Sequence, residues 1–285
     1  MNKFKSLFLL AAIAGLAGSC AGNLKEFSCL ALGGENVPVG QYSSKILKYF
    51  ELDEKALADA GLITYGQDVK AVTSQVKESL VSAGIIYQTD AYSAKLEIVD
   101  TATKEMCGQV IYPAAITKLT SNYDAAASFL SYLQTEASLS VFESVGFSRV
   151  GEAGSETAQV EGNVTLKIFA AASMTETLNQ IKATYEAAHS NVNLVMNFGS
   201  SGALQTQIEN GAAGDCDIFI SAGQKQMNAL DATKEGGKDL IYSESRFNIL
   251  ENKVALAVPD GNPVGITSFA VLKDKLVEAL NKKSA

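Results

Sequence analysis

Two short segments carry residue types suited to holding a small anion. Ser173-Met174-Thr175-Glu176 has the serine and glutamate of a capping box, so Ser173 is expected at a helix N-terminus with Glu176 reaching back to it. Gly199-Ser200-Ser201-Gly202 occupies the same kind of position, between an apolar run and a segment with Leu204 and Ile208 four residues apart, and its glycines let backbone approach a ligand closely. Val39-Gly40 and Asp68-Val69 open two further predicted helices. The first N–H groups of a helix have no intrahelical acceptor and lie at the positive end of its dipole, so four such turns facing one crevice would suit a negative ligand. Taken singly, each serine reads as an ordinary cap.

The elements that would position these turns alternate strand with helix. Strands are predicted over 27–32, 62–65, 84–87, 110–116 (interrupted by Pro113), 166–170, 192–196, 218–221 and 254–258. Helices are predicted after Pro38, after Asp68 (with Val69, Val72, Val76 and Leu80 on one stripe), over 123–133, 135–145 with Gly146 as its stop, through Met174, Leu178, Ile181 and Tyr185, and over 269–280. This alternation implies an α/β protein with largely parallel sheets. Residues 149–163 are small, polar and acidic without periodicity, and read as a linker.

Lys3 and Lys5, an apolar run over 7–16, the small residues Ala17-Gly18-Ser19 and then Cys20 read as a lipoprotein export signal over 1–19, a lipidated Cys20 and a tether over 20–26. The signal takes away two lysines and no acid, so a formal charge of −8 becomes −10 over the remaining 266 residues. That balance does not suit a nucleic-acid partner. Cys29, Cys107 and Cys216 lack C-x-x-C spacing and give no disulfide framework, leaving a Cys29–Cys107 bridge open beside small buried thiols. An enzyme would need a base, and His189 is the one histidine, expected on solvated surface. The stretch from Gly199 to Ala203 misses the G-x-S-x-G nucleophile elbow, because Ala203 stands in place of the second glycine. No catalytic residues and no cofactor are expected.

The segments Leu166-Lys-Ile-Phe-Ala-Ala-Ala-Ser173-Met-Thr-Glu, Asn197-Phe-Gly-Ser-Ser201-Gly-Ala-Leu and Asp217-Ile-Phe-Ile-Ser221-Ala closely resemble the first half of the periplasmic molybdate-binding proteins of ABC transporters. The second half of that family is matched by Leu30-Ala-Leu-Gly, Val37-Pro-Val39-Gly-Gln-Tyr42, Asp68-Val69, Ala83-Gly-Ile-Ile-Tyr87-Gln-Thr-Asp90-Ala and Val110-Ile-Tyr-Pro-Ala. The resemblance implies a two-lobed type II periplasmic binding protein that closes on molybdate or tungstate and delivers it to ABC permease subunits. Carried over motif by motif, it implies hydroxyls from Ser173 and Ser201 on one lobe, and backbone N–H groups of Val39 and Val69 with the Tyr87 phenol on the other. The anion would be held through its oxygens, with no residue acting as a metal-cation ligand.

All of these groups can donate, as suits a fully deprotonated dianion that can only accept. Sulfate, or a sensor or scaffold of the same fold without transport, are the other readings the resemblance leaves open. The order of the halves is reversed relative to the family, so the chain reads as circularly permuted, or as a fusion of two half-genes. Lobe I would span 112–255, with the family's usual ends joined through the linker, and lobe II would be assembled from 24–111 and 256–285. A flexible linker of this length reaches roughly 20–25 Å, enough to close both halves within one molecule, so a monomer is expected.

Overall fold

The computed structural model describes residues 26–155 and 160–284. The export signal, Cys20 and nearly all of the tether lie outside the described residues. The strands in chain order are β1 (Leu30–Gly33), β2 (Ile63–Gly66), β3 (Ala83–Tyr87), β4 (Glu97–Thr101), β5 (Val110–Ile116), β6 (Ser148–Arg149), β7 (Val164–Ala171), β8 (Val192–Gly199), β9 (Ile218–Ile220), β10 (Phe247–Asn252) and β11 (Val254–Val258). The helices are α1 (Pro38–Tyr49), α2 (Glu54–Asp59), α3 (Val69–Lys77), α4 (Gln88–Ala94), α5 (Lys104–Cys107), α6 (Tyr123–Tyr132), α7 (Glu136–Glu143), α8 (Thr175–Ala188), α9 (Ser201–Glu209), α10 (Gln224–Leu230) and α11 (Phe269–Ser284).

These strands form two sheets, one in each lobe. Lobe II holds the order β2-β1-β3-β11-β4, and lobe I holds β6-β10-β5-β9-β7-β8. The chain crosses between them twice, from β4 to β5 and at Lys253 from β10 to β11. Val110 and Ile111 therefore belong to the lobe I sheet, and Val254 and Ala255 to the lobe II sheet. Each crossover lies two residues earlier than the boundaries read from sequence. Apolar runs continue through both crossovers and hide the change of sheet.

The sheets are mixed, against the largely parallel arrangement expected. β1 runs parallel to β2 and β3, and β7 to β8 and β9, as strand-helix-strand units require. The strands next to the crossovers run the other way: β11 is antiparallel to β3 and β4, β10 to β5 and β6, and β5 to β9. Pro113 does not interrupt β5. It faces Asn248 where the register of β10 shifts, so its missing N–H falls at a bulge, and its carbonyl accepts from the Ser221 N–H at 3.0 Å.

Helix α3 shows how local sequence sets an element. Asp68 caps it by accepting the Ala71 N–H at 2.9 Å, and Val69, Val72 and Val76 are buried beneath. It stops at Lys77 because Ser79 takes φ +55°, with the Ser79 and Leu80 N–H groups returning to Val76 and Gln75. Leu80, expected on the buried stripe, consequently lies outside the helix and is exposed.

The linker is more ordered than its composition predicts. Arg149 ends β6 and pairs with Glu136 and Glu143, the Gly154 N–H reaches Gln134, and Asn191 Nδ2 donates to the carbonyls of Val160 and Gly162. Both described ends of this segment are thus fastened to lobe I. Cys107 and Cys216 are buried free thiols, which removes the Cys29–Cys107 bridge. Among the described residues no helix is long and apolar enough to cross a membrane.

Candidate functional site

Six strand-to-helix turns, the four read from the sequence among them, meet at one small cavity between the lobes. Its lining comes from Val37, Pro38 and Val39 at the start of α1, Asp68 and Val69 at the start of α3, and Tyr87 at the end of β3, all in lobe II. Lobe I contributes Ala171, Ala172 and Ser173 before α8, Gly199, Ser200 and Ser201 at the start of α9, and Ala222. The five residues singled out in the sequence, Ser173, Ser201, Val39, Val69 and Tyr87, all line it, and each is buried. The atom-free space is about 210 Å³.

Each donor is set by its own helix. Val39 is the second residue of α1 and Val69 the first of α3, so neither N–H has an intrahelical acceptor. Ser200, not Ser201, caps α9, accepting the Ala203 N–H at 3.3 Å. Ser201 Oγ instead accepts the Ala222 N–H at 3.0 Å, which leaves its own hydrogen for the cavity. Tyr87 donates to the Ala222 carbonyl across the lobes at a long 3.5 Å, a weak bond that a charged acceptor would displace. Burial pushes the Tyr87 phenol well above its ordinary pKa, reinforced by Tyr112, so it stays a neutral donor.

The capping box does not form. Ala172–Met174 make a 3-10 turn, α8 begins at Thr175, and no side chain caps it. Ser173 Oγ lies 2.9 Å from the Tyr112 hydroxyl, and Glu176 reaches across to Lys70 of lobe II at 3.8 Å. A serine whose hydroxyl already has a tyrosine partner in the core has no need to turn back on its own helix. Gly202 likewise serves the lobes and not a ligand: a Cβ there would stand 2.2 Å from the Asn36 carbonyl oxygen of lobe II.

Among the described residues no lysine, arginine or histidine lines the cavity, so an anion there would be met by dipoles. Asp68 is the one acidic residue in the lining, with Oδ1 committed to its helix cap. Behind Tyr87, Asp90 is fully buried and lies 3.3 Å from Lys70 Nζ without completing a hydrogen bond. Burial raises its pKa to about 6, opposed by Lys70. Sequence reasoning quoted Asp90 and Tyr112 within matched segments without a role and passed over Asn252 and Lys70, because a tyrosine in an apolar strand and a lysine on a helix carry no local signal. His189 stacks on the Tyr185 ring with centroids 4.1 Å apart instead of standing free in solvent, and it is not in the cavity. Among the described residues Ser201 Oγ is met by the Ala222 amide donor and by no base.

A family model described as bacterial extracellular solute-binding protein matches residues 23–148 and 166–281. YvgL of Bacillus subtilis, assigned by name to the ABC transporter substrate-binding lipoproteins, is 39% identical over 128 residues, 44% of this chain and 48% of that protein. The molybdate-binding protein ModA of Haemophilus influenzae is 34% identical over 113 residues, 40% of this chain and 41% of that protein. The chain thus spans about half, or less, of the length of these relatives. In three dimensions it resembles a phosphate-binding protein of a phosphate ABC transporter from Streptococcus pneumoniae, at TM-score 0.54 and 13% identity, over 89% of this chain and 98% of that one, a likeness in fold alone. These relatives are solute-binding proteins and not enzymes. Matched over most of its length, this chain belongs to the bacterial extracellular solute-binding protein family.

Proposed function

We propose that the protein binds molybdate or tungstate outside the cytoplasm and hands it to the permease subunits of an ABC importer. The observation that carries this reading is the cavity itself: two serine hydroxyls, one neutral phenol and the first N–H groups of two helices around a space without a cation. A ligand met only by donors is best a dianion that retains no proton. The relative named as a molybdate-binding protein supports the same ligand. Lipidation of Cys20 would tether the protein to the membrane, a reading supported by the relative named as a lipoprotein.

The exchanged order of the halves belongs to this proposal. The family model matches in two blocks that flank the linker, and each of the two curated relatives aligns over less than half of the chain. An alignment that keeps chain order can carry only one of two exchanged halves, which supports a circular permutation. The protein closes its site within one molecule and works as a monomer.

Asp68 favours one rival, since its second carboxylate oxygen could accept the proton that hydrogen phosphate retains. Calorimetric titration with molybdate, tungstate, sulfate and phosphate near neutral pH separates the two. Molybdate and tungstate are expected to bind far more tightly than phosphate, with sulfate displaced by the larger anions. Phosphate binding of equal strength refutes the proposal, and loss of that binding in Asp68→Asn would assign it to the rival.

A further inference from the structure

The Ser173 hydroxyl is backed by a chain of buried groups that leads to the crossover between the lobes. Asn252 is the last residue of β10, and its Nδ2 donates to the Tyr112 hydroxyl at 3.2 Å and to Thr89 Oγ1 at 2.9 Å. The Lys253 N–H donates to Asn252 Oδ1 at 2.8 Å, which fixes the amide with its nitrogen toward Tyr112. Tyr112, Asn252 and Thr89 are all at least 97% buried. An amide nitrogen can only donate, so Tyr112 oxygen is the acceptor in that bond. The Tyr87 phenol, whose pKa is raised by burial and by its bond to Tyr112, stands as the donor there, so Ser173 Oγ is the acceptor left for the Tyr112 hydrogen, and leaving a buried hydroxyl hydrogen unpaired is costly. Tyr112 donates, Ser173 accepts, and the Ser173 hydrogen is left to point at the cavity.

We infer that Asn252 and Tyr112 are positioning residues that set the polarity of Ser173, making it a donor and turning the site against anions that keep a proton. This inference rests on the function proposed above. It extends specificity beyond the lining: the choice between a bare and a protonated oxyanion is made two hydrogen bonds away, at the crossover strand. Thr89 lies two residues after Tyr87, so the same amide also touches the segment that carries the opposing donor.

Asn252→Asp reverses the chain without changing its shape. The carboxylate still accepts from the Lys253 N–H, and toward Thr89 and Tyr112, where the amide nitrogen donated, it now accepts both hydroxyl hydrogens. Tyr112 must then accept from Ser173, which turns a lone pair toward the ligand. Tyr112→Phe removes the relay and leaves the Ser173 hydroxyl free to turn either way. The experiment titrates molybdate and inorganic phosphate into the wild type and both variants, below and above neutrality, and reads the ratio of the two affinities. In Asn252→Asp the preference for molybdate should fall by about tenfold to a hundredfold, the scale of one charged hydrogen bond, and phosphate should bind better where it carries more protons. Tyr112→Phe should lower the preference less. A merely structural role would weaken both anions alike and leave the ratio unmoved. If the wild type prefers molybdate and both variants keep its ratio, the positioning role is refuted while the function stands. A wild type that binds neither anion overturns the function and this inference with it.

Discussion

Ser200 and Ser201 are adjacent, yet their replacement by alanine should have opposite signatures. Ser201 Oγ is buried, accepts the Ala222 N–H at 3.0 Å and turns its hydrogen to the cavity. Ser201→Ala therefore removes one hydrogen bond to a charged ligand, worth about 1.5–3 kcal/mol, which raises the dissociation constant roughly tenfold to a hundredfold. It also strands the buried Ala222 amide, at a cost of about 1–3 kcal/mol in stability, so the melting temperature should fall by roughly 2–4 °C per kcal/mol. Ser200 caps α9 through Ala203, and Ser200→Ala should cost about 1 kcal/mol of stability while leaving affinity within about threefold. Calorimetry with molybdate, alongside thermal melts with and without the anion, measures both. Equal affinity in Ser201→Ala and wild type, or a larger affinity loss in Ser200→Ala, would refute the assignment of donors.

Other perturbations test the rest of the site. Tyr87→Phe should weaken molybdate by about tenfold to a hundredfold with little change in melting temperature, because the bond it loses in the free protein is the long one to Ala222; unchanged affinity would remove Tyr87 from the contacts. Gly202→Ala should weaken binding without touching the anion, since a methyl at that point collides with the Asn36 carbonyl and holds the lobes apart; small-angle scattering should then show a more open particle, and a closed one would refute it. Asp90 has a folded pKa of about 6 against an ordinary 3.8. Its contribution to stability is thus full below about pH 4 and is lost as pH rises through 6. Melts of Asp90→Asn relative to wild type should improve over that window by on the order of 3 kcal/mol at most, and a constant difference would refute the shift. A soluble form beginning at Gly22 should be a monomer binding one anion, whereas dimers that survive cutting at the linker would point to a swapped assembly.

The parts of the fold legible in the sequence were those with contrast. Val254–Val258 and Ala83–Tyr87 are apolar runs and stand close to their predicted bounds, and Asp68 announces α3 by its capping chemistry. β4 and β10 escaped because Glu-Ile-Val-Asp-Thr and Phe-Asn-Ile-Leu-Glu-Asn mix apolar with charged or amide side chains and show no clean alternation. Three of the missed antiparallel pairings involve those strands, and the other two, β11 with β3 and β5 with β9, join strands beside a crossover to strands that were read from sequence. At the site, residue types pointed only to helix ends suited to an anion. The choice of Val39, Val69 and Tyr87 came from resemblance, because a backbone donor leaves no mark on the side chain that bears it. The roles of Tyr112 and Asn252 were invisible for another reason: they depend on a neighbour from a distant segment.

The sheet order β2-β1-β3-β11-β4 has a consequence for how the chain acquires its structure. β4 touches its sheet only through β11, which is made more than 150 residues after it. Lobe II therefore begins first and finishes last, while lobe I, contiguous from 110 to 252, needs nothing outside itself to complete its six strands. Pairings so distant in sequence carry a large loop-closure entropy and form slowly. In a chain that emerges from its N-terminus, the interrupted lobe waits with an unpaired β3 edge until β11 arrives, and that edge is open to pairing with other chains for as long as it waits. The inserted lobe can meanwhile fold on its own, and by folding it brings β4 and β11, the two strands that flank it in sequence, close enough to be joined.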